Sequence, residues 1–137
     1  MKKLLLTSVL LASVTMTSYA NTSDNASSVS QNSTQSVPVS TLNGLLTDKN
    51  GMTLYTFDKD IANSGKSVCN DECAIYWPPL FAKDNAINDG DYSVITRDDG
   101  KKQWAFKGKP LYYWIKDKKV GDTTGDGFRN IWRIVKP

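Results

Sequence analysis

One ten-residue phrase of this chain occurs twice. Gly51-Met52-Thr53-Leu54-Tyr55-Thr56-Phe57-Asp58-Lys59-Asp60 returns as Gly108-Lys109-Pro110-Leu111-Tyr112-Tyr113-Trp114-Ile115-Lys116-Asp117. Both copies keep glycine, then Leu-Tyr, then an aromatic residue, then Lys-Asp at the same spacing. A tryptophan follows each, Trp77 after the first and Trp132 after the second. A phrase repeated with its spacing intact is one supersecondary unit used twice, and such a unit does not bury its apolar face alone. The two copies are therefore expected to bury their aromatic faces against each other. The repeat constrains architecture and leaves the chemistry open.

Period-two alternation runs through much of the region. Met52, Leu54 and Thr56 oppose Thr53, Tyr55 and Phe57, and Leu111, Tyr113 and Ile115 oppose Tyr112 and Trp114. Turn chemistry falls between such runs at Asp48-Lys49-Asn50-Gly51, Asp98-Asp99-Gly100 and Lys107-Gly108-Lys109. Strands are expected near 43–47, 52–57, 92–97, 102–107, 110–115 and 130–135. The one helical candidate is Asn70 to Tyr76, ended at Trp77 by Pro78 and Pro79. Aromatics on both faces of 55–57 and 112–114 predict a two-layer arrangement. The fold class is mainly β: a small two-layer antiparallel domain of two related repeat units, with one short helix near 70–76.

Residues 1–20 read as a secretory signal, with Lys2 and Lys3, the apolar run Leu4 to Val14, and a cleavage site at Ser18-Tyr19-Ala20. That run is about eleven residues, short of the roughly twenty a transmembrane helix needs. No second long apolar run exists, so no transmembrane span is expected and the mature chain belongs in the periplasm or outside the cell. Removing Lys2 and Lys3 leaves 15 basic against 14 acidic residues, a net charge of +1. That balance argues against nucleic acid as a partner. Lys116, Lys118 and Lys119 read as a solvated turn. Residues 21–40, rich in Ser, Asn and Thr and without an aromatic, read as a disordered tether. The remainder, 41–137, is one duplicated β-rich repeat domain with room for one modest core.

The doubled Tyr-x-aromatic-x-x-Asp motif, in Tyr55, Phe57 and Asp60 and again in Tyr112, Trp114 and Asp117, resembles a family of secreted bacterial repeat proteins and lipoproteins. The match continues through Ser67-Val68-Cys69 and Cys73, Trp77-Pro78-Pro79-Leu80, Asp99-Gly100-Lys101-Lys102-Gln103-Trp104, and Gly121 to Gly127 with Trp132. This chain lacks the lipid-attachment cysteine that many members carry. The resemblance implies an envelope location and a β-rich duplicated unit. It supplies no catalytic residue.

Cys69 and Cys73 are the only cysteines, four apart in the candidate helix. On one helical face their Cα atoms would lie about 6 Å apart, within reach of a disulfide. In an oxidising compartment such a pair reads first as a structural bridge. Redox exchange is the competing reading, but Asp71 and Glu72 stand between the cysteines and would raise a thiol's pKa. In the repeat alignment Asp126 falls where the first unit has Cys69. The two post-strand loops are thus expected to be pinned alike, one by the bridge and one by Asx-type hydrogen bonds.

Asp117, Asp122 and Asp126, with the Thr123 and Thr124 hydroxyls, offer hard oxygen ligands of the kind calcium takes, although their spacing is not that of an EF-hand. No other cofactor is expected. The chain has no histidine, which removes histidine-based triads, His-containing zinc sites and histidine haem ligation. Asp58 and Asp60, and Asp98 and Asp99, read as turn residues rather than paired catalytic carboxylates. No catalytic residue is assigned and the chain is read as a non-enzyme. The sequence points to a non-catalytic envelope module that binds a protein or cell-surface ligand, with exposed aromatics as one route. The alternative is a redox-linked or metal-binding periplasmic accessory.

Overall fold

The computed structural model describes residues 33–137 together with Ser13. The expected signal segment, Ser13 apart, and the first part of the expected tether lie outside the described residues. The tether's far end is part of the fold. Gln35 bridges Ala86, and Val37 and Val39 pack against buried residues of the domain. The first strand, β1, spans Val39–Leu42, so the folded part begins before residue 41. Two valines in an otherwise polar stretch supply the apolar area that the expectation of disorder to residue 40 overlooked.

Among the described residues the elements are mostly antiparallel strands, with one short α-helix. β1 forms a hairpin with β2 (Leu45–Asp48). Its turn is Asn43-Gly44, both at positive φ, 51° and 75°, as a tight hairpin turn demands. The strand expected over 43–47 therefore starts two residues later, at Leu45, because Asn43 and Gly44 form the turn. β3 (Tyr55–Phe57) is followed by α1 (Glu72–Tyr76) and the short β4 (Phe81–Ala82). β5 (Tyr92–Thr96), β6 (Lys102–Phe106) and β7 (Lys109–Pro110) begin the second repeat. A 3-10 turn over Phe128–Asn130 then leads into β8 (Trp132–Ile134). β4 and β5 flank β6, β7 also pairs with β6, and β3 pairs with β8. The stretch expected as a strand over 110–115 is mostly irregular, held by single bridges from Tyr112 to Tyr55 and Pro79.

The repeats are joined by exchanging their closing strands. β8, at the end of the second repeat, pairs with β3 of the first. Correspondingly, the end of the first repeat lies on the second: Tyr113 donates to the Pro78 carbonyl at 2.7 Å and Ile115 to that of Tyr76 at 3.0 Å. The equivalence continues outward. Leu46 donates to Val135 at 2.8 Å as Trp104 does to Leu80 at 2.9 Å. At the centre Tyr55 and Tyr112 exchange both backbone hydrogen bonds, 2.8 and 2.9 Å. Contacts in reciprocal pairs are what a twofold relation between like units produces.

Two hydrophobic clusters result, each drawn from both repeats. Leu46, Leu54, Leu80, Trp104, Leu111 and Val135 belong to one. Tyr55, Phe57, Trp77, Tyr112, Trp114 and Trp132 belong to the other, with Cys69. Leu54 and Tyr55, neighbours in the motif, enter different clusters, as do Leu111 and Tyr112, because successive side chains of an extended chain point to opposite faces. That explains why the motif is apolar on both faces.

Candidate functional site

The motif tyrosine of each repeat bonds the motif aspartate of the other. Tyr55 donates its hydroxyl to Asp117 Oδ2 at 2.6 Å, and Tyr112 donates to Asp60 Oδ2, also at 2.6 Å. Each aspartate also ties down the chain that follows it. Asp60 Oδ1 accepts from the Val68 amide at 2.7 Å, and Asp117 Oδ1 from the amide and hydroxyl of Thr124 at 3.0 and 2.6 Å. Asp60 is therefore a buried structural acceptor rather than a simple turn residue. Burial pushes its carboxyl above the ordinary carboxylate range, against the hydrogen bonds from Tyr112 and Val68 that favour its charge. Burial, then the bond to Asp117, raises the Tyr55 phenol well above its usual value. Burial and the charge of Asp60 do the same for Tyr112.

A buried arginine extends this network. Arg97 donates from one nitrogen to Ser67 Oγ at 2.9 Å and Gln103 Oε1 at 2.7 Å, and from the other to the Cys69 carbonyl at 2.5 Å. Tyr112 gives its proton to Asp60, so Ser67 donates to the Tyr112 oxygen across 2.6 Å. Sequence reasoning missed Arg97 and Ser67. The available signal was an arginine inside an alternating strand, at a position of the same parity as Ile95.

The aromatic residues form a four-ring stack across the repeat interface. Phe57 lies on Trp132 at 4.3 Å between centroids, Trp132 on Trp77 at 3.7 Å, and Trp77 on Trp114 at 4.1 Å. The order alternates between repeats. Tyr55 meets Trp77 edge-on at 5.4 Å, and Tyr112 meets Trp132 edge-on at 5.2 Å. Each such pair contributes on the order of 1 kcal/mol beyond its area. Gly125 lies against the stack, where a Cβ would come within 2.8 Å of the Trp77 ring and 3.0 Å of Trp114.

A cleft of about 540 Å³ opens beside this stack. Phe57, Trp77, Trp114 and Trp132 of the stack all line it. Glu72, Cys73 and Tyr76 of α1 form one wall, and Phe128, Arg129 and Ile131 the other. Lys59 and Lys116 stand at the rim. The helix that makes the first wall buries none of its residues and is anchored through the disulfide from Cys73 to the fully buried Cys69. Most of the tryptophan surface is interior, so the rings do not form the open platform that exposed aromatics would provide. Tyr76 and Phe81 are the exposed aromatics among the described residues, at 47 % and 46 %.

The three carboxylates considered for calcium do not converge. Asp117 is buried among Tyr55 and Thr124. Asp122 Oδ2 accepts from the amides of Lys118 and Lys119, which hold its carboxyl below the usual range. Asp126 Oδ1 accepts from the Ile134 amide at 3.1 Å. Among the described residues no group of three metal-ligating side chains lies close enough to hold an ion. The Asp and Gly residues of this loop serve turn geometry, as tight turns select. Asp126 reaches across to β8 rather than closing an Asx turn. The feature common to the two post-strand loops is instead the motif aspartate, Asp60 or Asp117, accepting a backbone amide further along.

An interlocked β-rich duplication with a structural Tyr–Asp exchange defines the class of protein. The family model described as a secreted repeat of unknown function matches residues 39–81 and 93–136. The chain belongs to this family of secreted repeats. The first match ends at β4 and the second begins within β5, in keeping with repeats that each close with the strand they exchange. No curated protein and no solved structure matches the chain. Among the described residues no helix is long and apolar enough to cross a membrane.

Proposed function

We propose that this secreted repeat protein is a non-catalytic envelope module that binds a protein or cell-surface ligand in the cleft beside the ring stack. The observation that carries this reading is the cleft itself. It is a concavity lined by α1, the 3-10 turn and the four stacked rings. Concave sites with apolar walls and a few polar groups are where ligands bind. The conspicuous buried titratable groups, Asp60, Tyr55 and Tyr112, are all engaged in holding the repeats together. None of the three lines the cleft, so they offer no nucleophile or base to a substrate there. The redox-linked or metal-binding alternative is less well supported, because the bridge anchors a helix that buries none of its own residues and the aspartates are dispersed.

Tyr76 is the aromatic side chain of the cleft most open to solvent, and aromatic anchors dominate binding energies. Tyr76→Ala is expected to weaken retention of the protein on isolated bacterial envelopes by about fivefold or more. Ile87→Ala, at an exposed apolar residue outside the cleft, should leave retention unchanged. Equal retention of the parent and Tyr76→Ala would remove the cleft as the binding site.

A further inference from the structure

The cleft is marked by charge as well as by shape. Lys59, Lys116 and Arg129 line it, with Glu72 as the one acidic residue. None of the three cations belongs to a salt bridge among the described residues, where the pairs are Lys66–Asp98 and Arg133–Asp58. The mature chain is expected to be nearly neutral, so the concentration belongs to this place rather than to the whole surface. Two of the three cations are held over ring faces: Lys116 Nζ lies 5.8 Å from the Trp114 centroid and the Arg129 guanidinium 5.6 Å from that of Phe128.

Arg129 adds an independent observation. Its backbone is left-handed, at φ 48° and ψ 20°. Its neighbours at positive φ, Gly127 and Asn130, are of types that tolerate this conformation. Arginine is not, and a side chain held at such a position points to a role for that side chain. Arg129 brings to the cleft lining a planar, five-donor cation, the group best suited to a carboxylate.

The rest of the lining fixes the kind of anion. The lining is rich in aromatic rings, among them the half-exposed Tyr76, whose carbonyl accepts from the Ile115 amide. A compact inorganic anion would leave that surface unused, whereas a chain bearing both carboxylates and apolar side chains would use all of it. We infer that the cleft takes an acidic, partly apolar peptide segment of a partner protein. Lys59, Lys116 and Arg129 meet its carboxylates, and Tyr76 and the other rings of the lining meet its apolar side chains. This rests on the cleft being the binding site proposed above.

The test is a titration of the full chain with a short synthetic peptide alternating Glu and Leu, read by tryptophan emission from the cleft lining. Saturable binding is expected, weakened by added salt and about tenfold weaker for the same peptide with Gln in place of Glu. Arg129→Gly should also bind about tenfold more weakly while melting no lower than the parent, since glycine relieves the left-handed backbone. Lys59→Glu with Lys116→Glu supplies a second variant that leaves Arg129 in place, and it should lose binding likewise. The inference is overturned if the Gln peptide binds equally or if neither variant weakens binding. It is also overturned if no peptide binds, or if only polyphosphate or phosphatidylglycerol vesicles do. Loss of envelope retention in Tyr76→Ala alongside any of those results would leave the cleft reading standing and remove only the acidic peptide.

Discussion

Asp60 and Asp117 are carboxylates almost closed off from water, at 3 % and 7 % exposure, and each is kept there by a tyrosine from the opposite repeat. This residue-scale exchange sets how the protein answers to pH. Tyr55, Tyr112 and Tyr113 all have phenols raised mainly by burial. In the unfolded chain they ionise near 10. A phenol whose folded pKa lies higher keeps its proton after the unfolded chain has lost it, so its stabilisation is complete below the unfolded value and declines as pH rises beyond it. The fold should therefore weaken above about pH 10. Phenolate absorbance of these tyrosines should rise together with the loss of circular dichroism. Ionisation of all three in a protein that remains folded would contradict the assignment. Asp60 has the same sign at acid pH: its raised carboxyl favours the fold at low pH, and that contribution declines as pH rises through its folded pKa. The motif made these residues conspicuous in sequence, but their partners lie 62 and 52 positions away, beyond what local spacing specifies.

At the scale of elements, α1 is the least self-sufficient piece. It is five residues long, buries none of them, and has no side-chain cap on its first turn. An isolated helix of that length does not persist in water. Its place in the cleft wall depends on the bridge from Cys73 to Cys69 and on the Ile115 amide, which donates to the Tyr76 carbonyl at 3.0 Å. Replacing both cysteines by serine is expected to cost about 2 kcal/mol, the loop-closure value for so short a loop. The melting temperature should fall while the strand signature stays. Complete unfolding of that variant at room temperature would show the bridge to be essential to the whole fold. The cysteine pair and the short helix were legible from spacing alone. The β1–β2 turn is equally legible as Asn43-Gly44, the strongest short hairpin signal, although the strand expected over 43–47 takes in both residues. The matched Gly51 and Gly108 are also local: both sit at positive φ, 84° and 79°, where the repeated phrase needs glycine.

For the molecule as a whole, the exchange of closing strands makes the two repeats mutually dependent. β3 has β8 as its strand partner, and the first repeat's closing segment lies on the second. Both hydrophobic clusters also need both halves. Residues 33–86 and 87–137 produced as separate chains are each expected to be unfolded by circular dichroism. Mixing them should restore strand signal and shift tryptophan emission to the blue as the ring stack closes. A half that folds alone with cooperative melting would show that the exchange is dispensable.

The duplication, the β-rich class, the cysteine pair and the residues of the Tyr–Asp motif are all legible in the amino-acid sequence. These rest on local periodicity, turn chemistry and a phrase long enough to be recognised twice. That each tyrosine serves the other repeat's aspartate, and that Arg97 is buried against Ser67 and Gln103, follows from the folded chain alone. The fold likewise brings Lys59, Lys116 and Arg129 to one cleft while dispersing Asp117, Asp122 and Asp126. The physical reason is that alternation fixes which face a side chain takes but not which strand arrives opposite it. Here the strand that arrives comes from the other copy of the repeat.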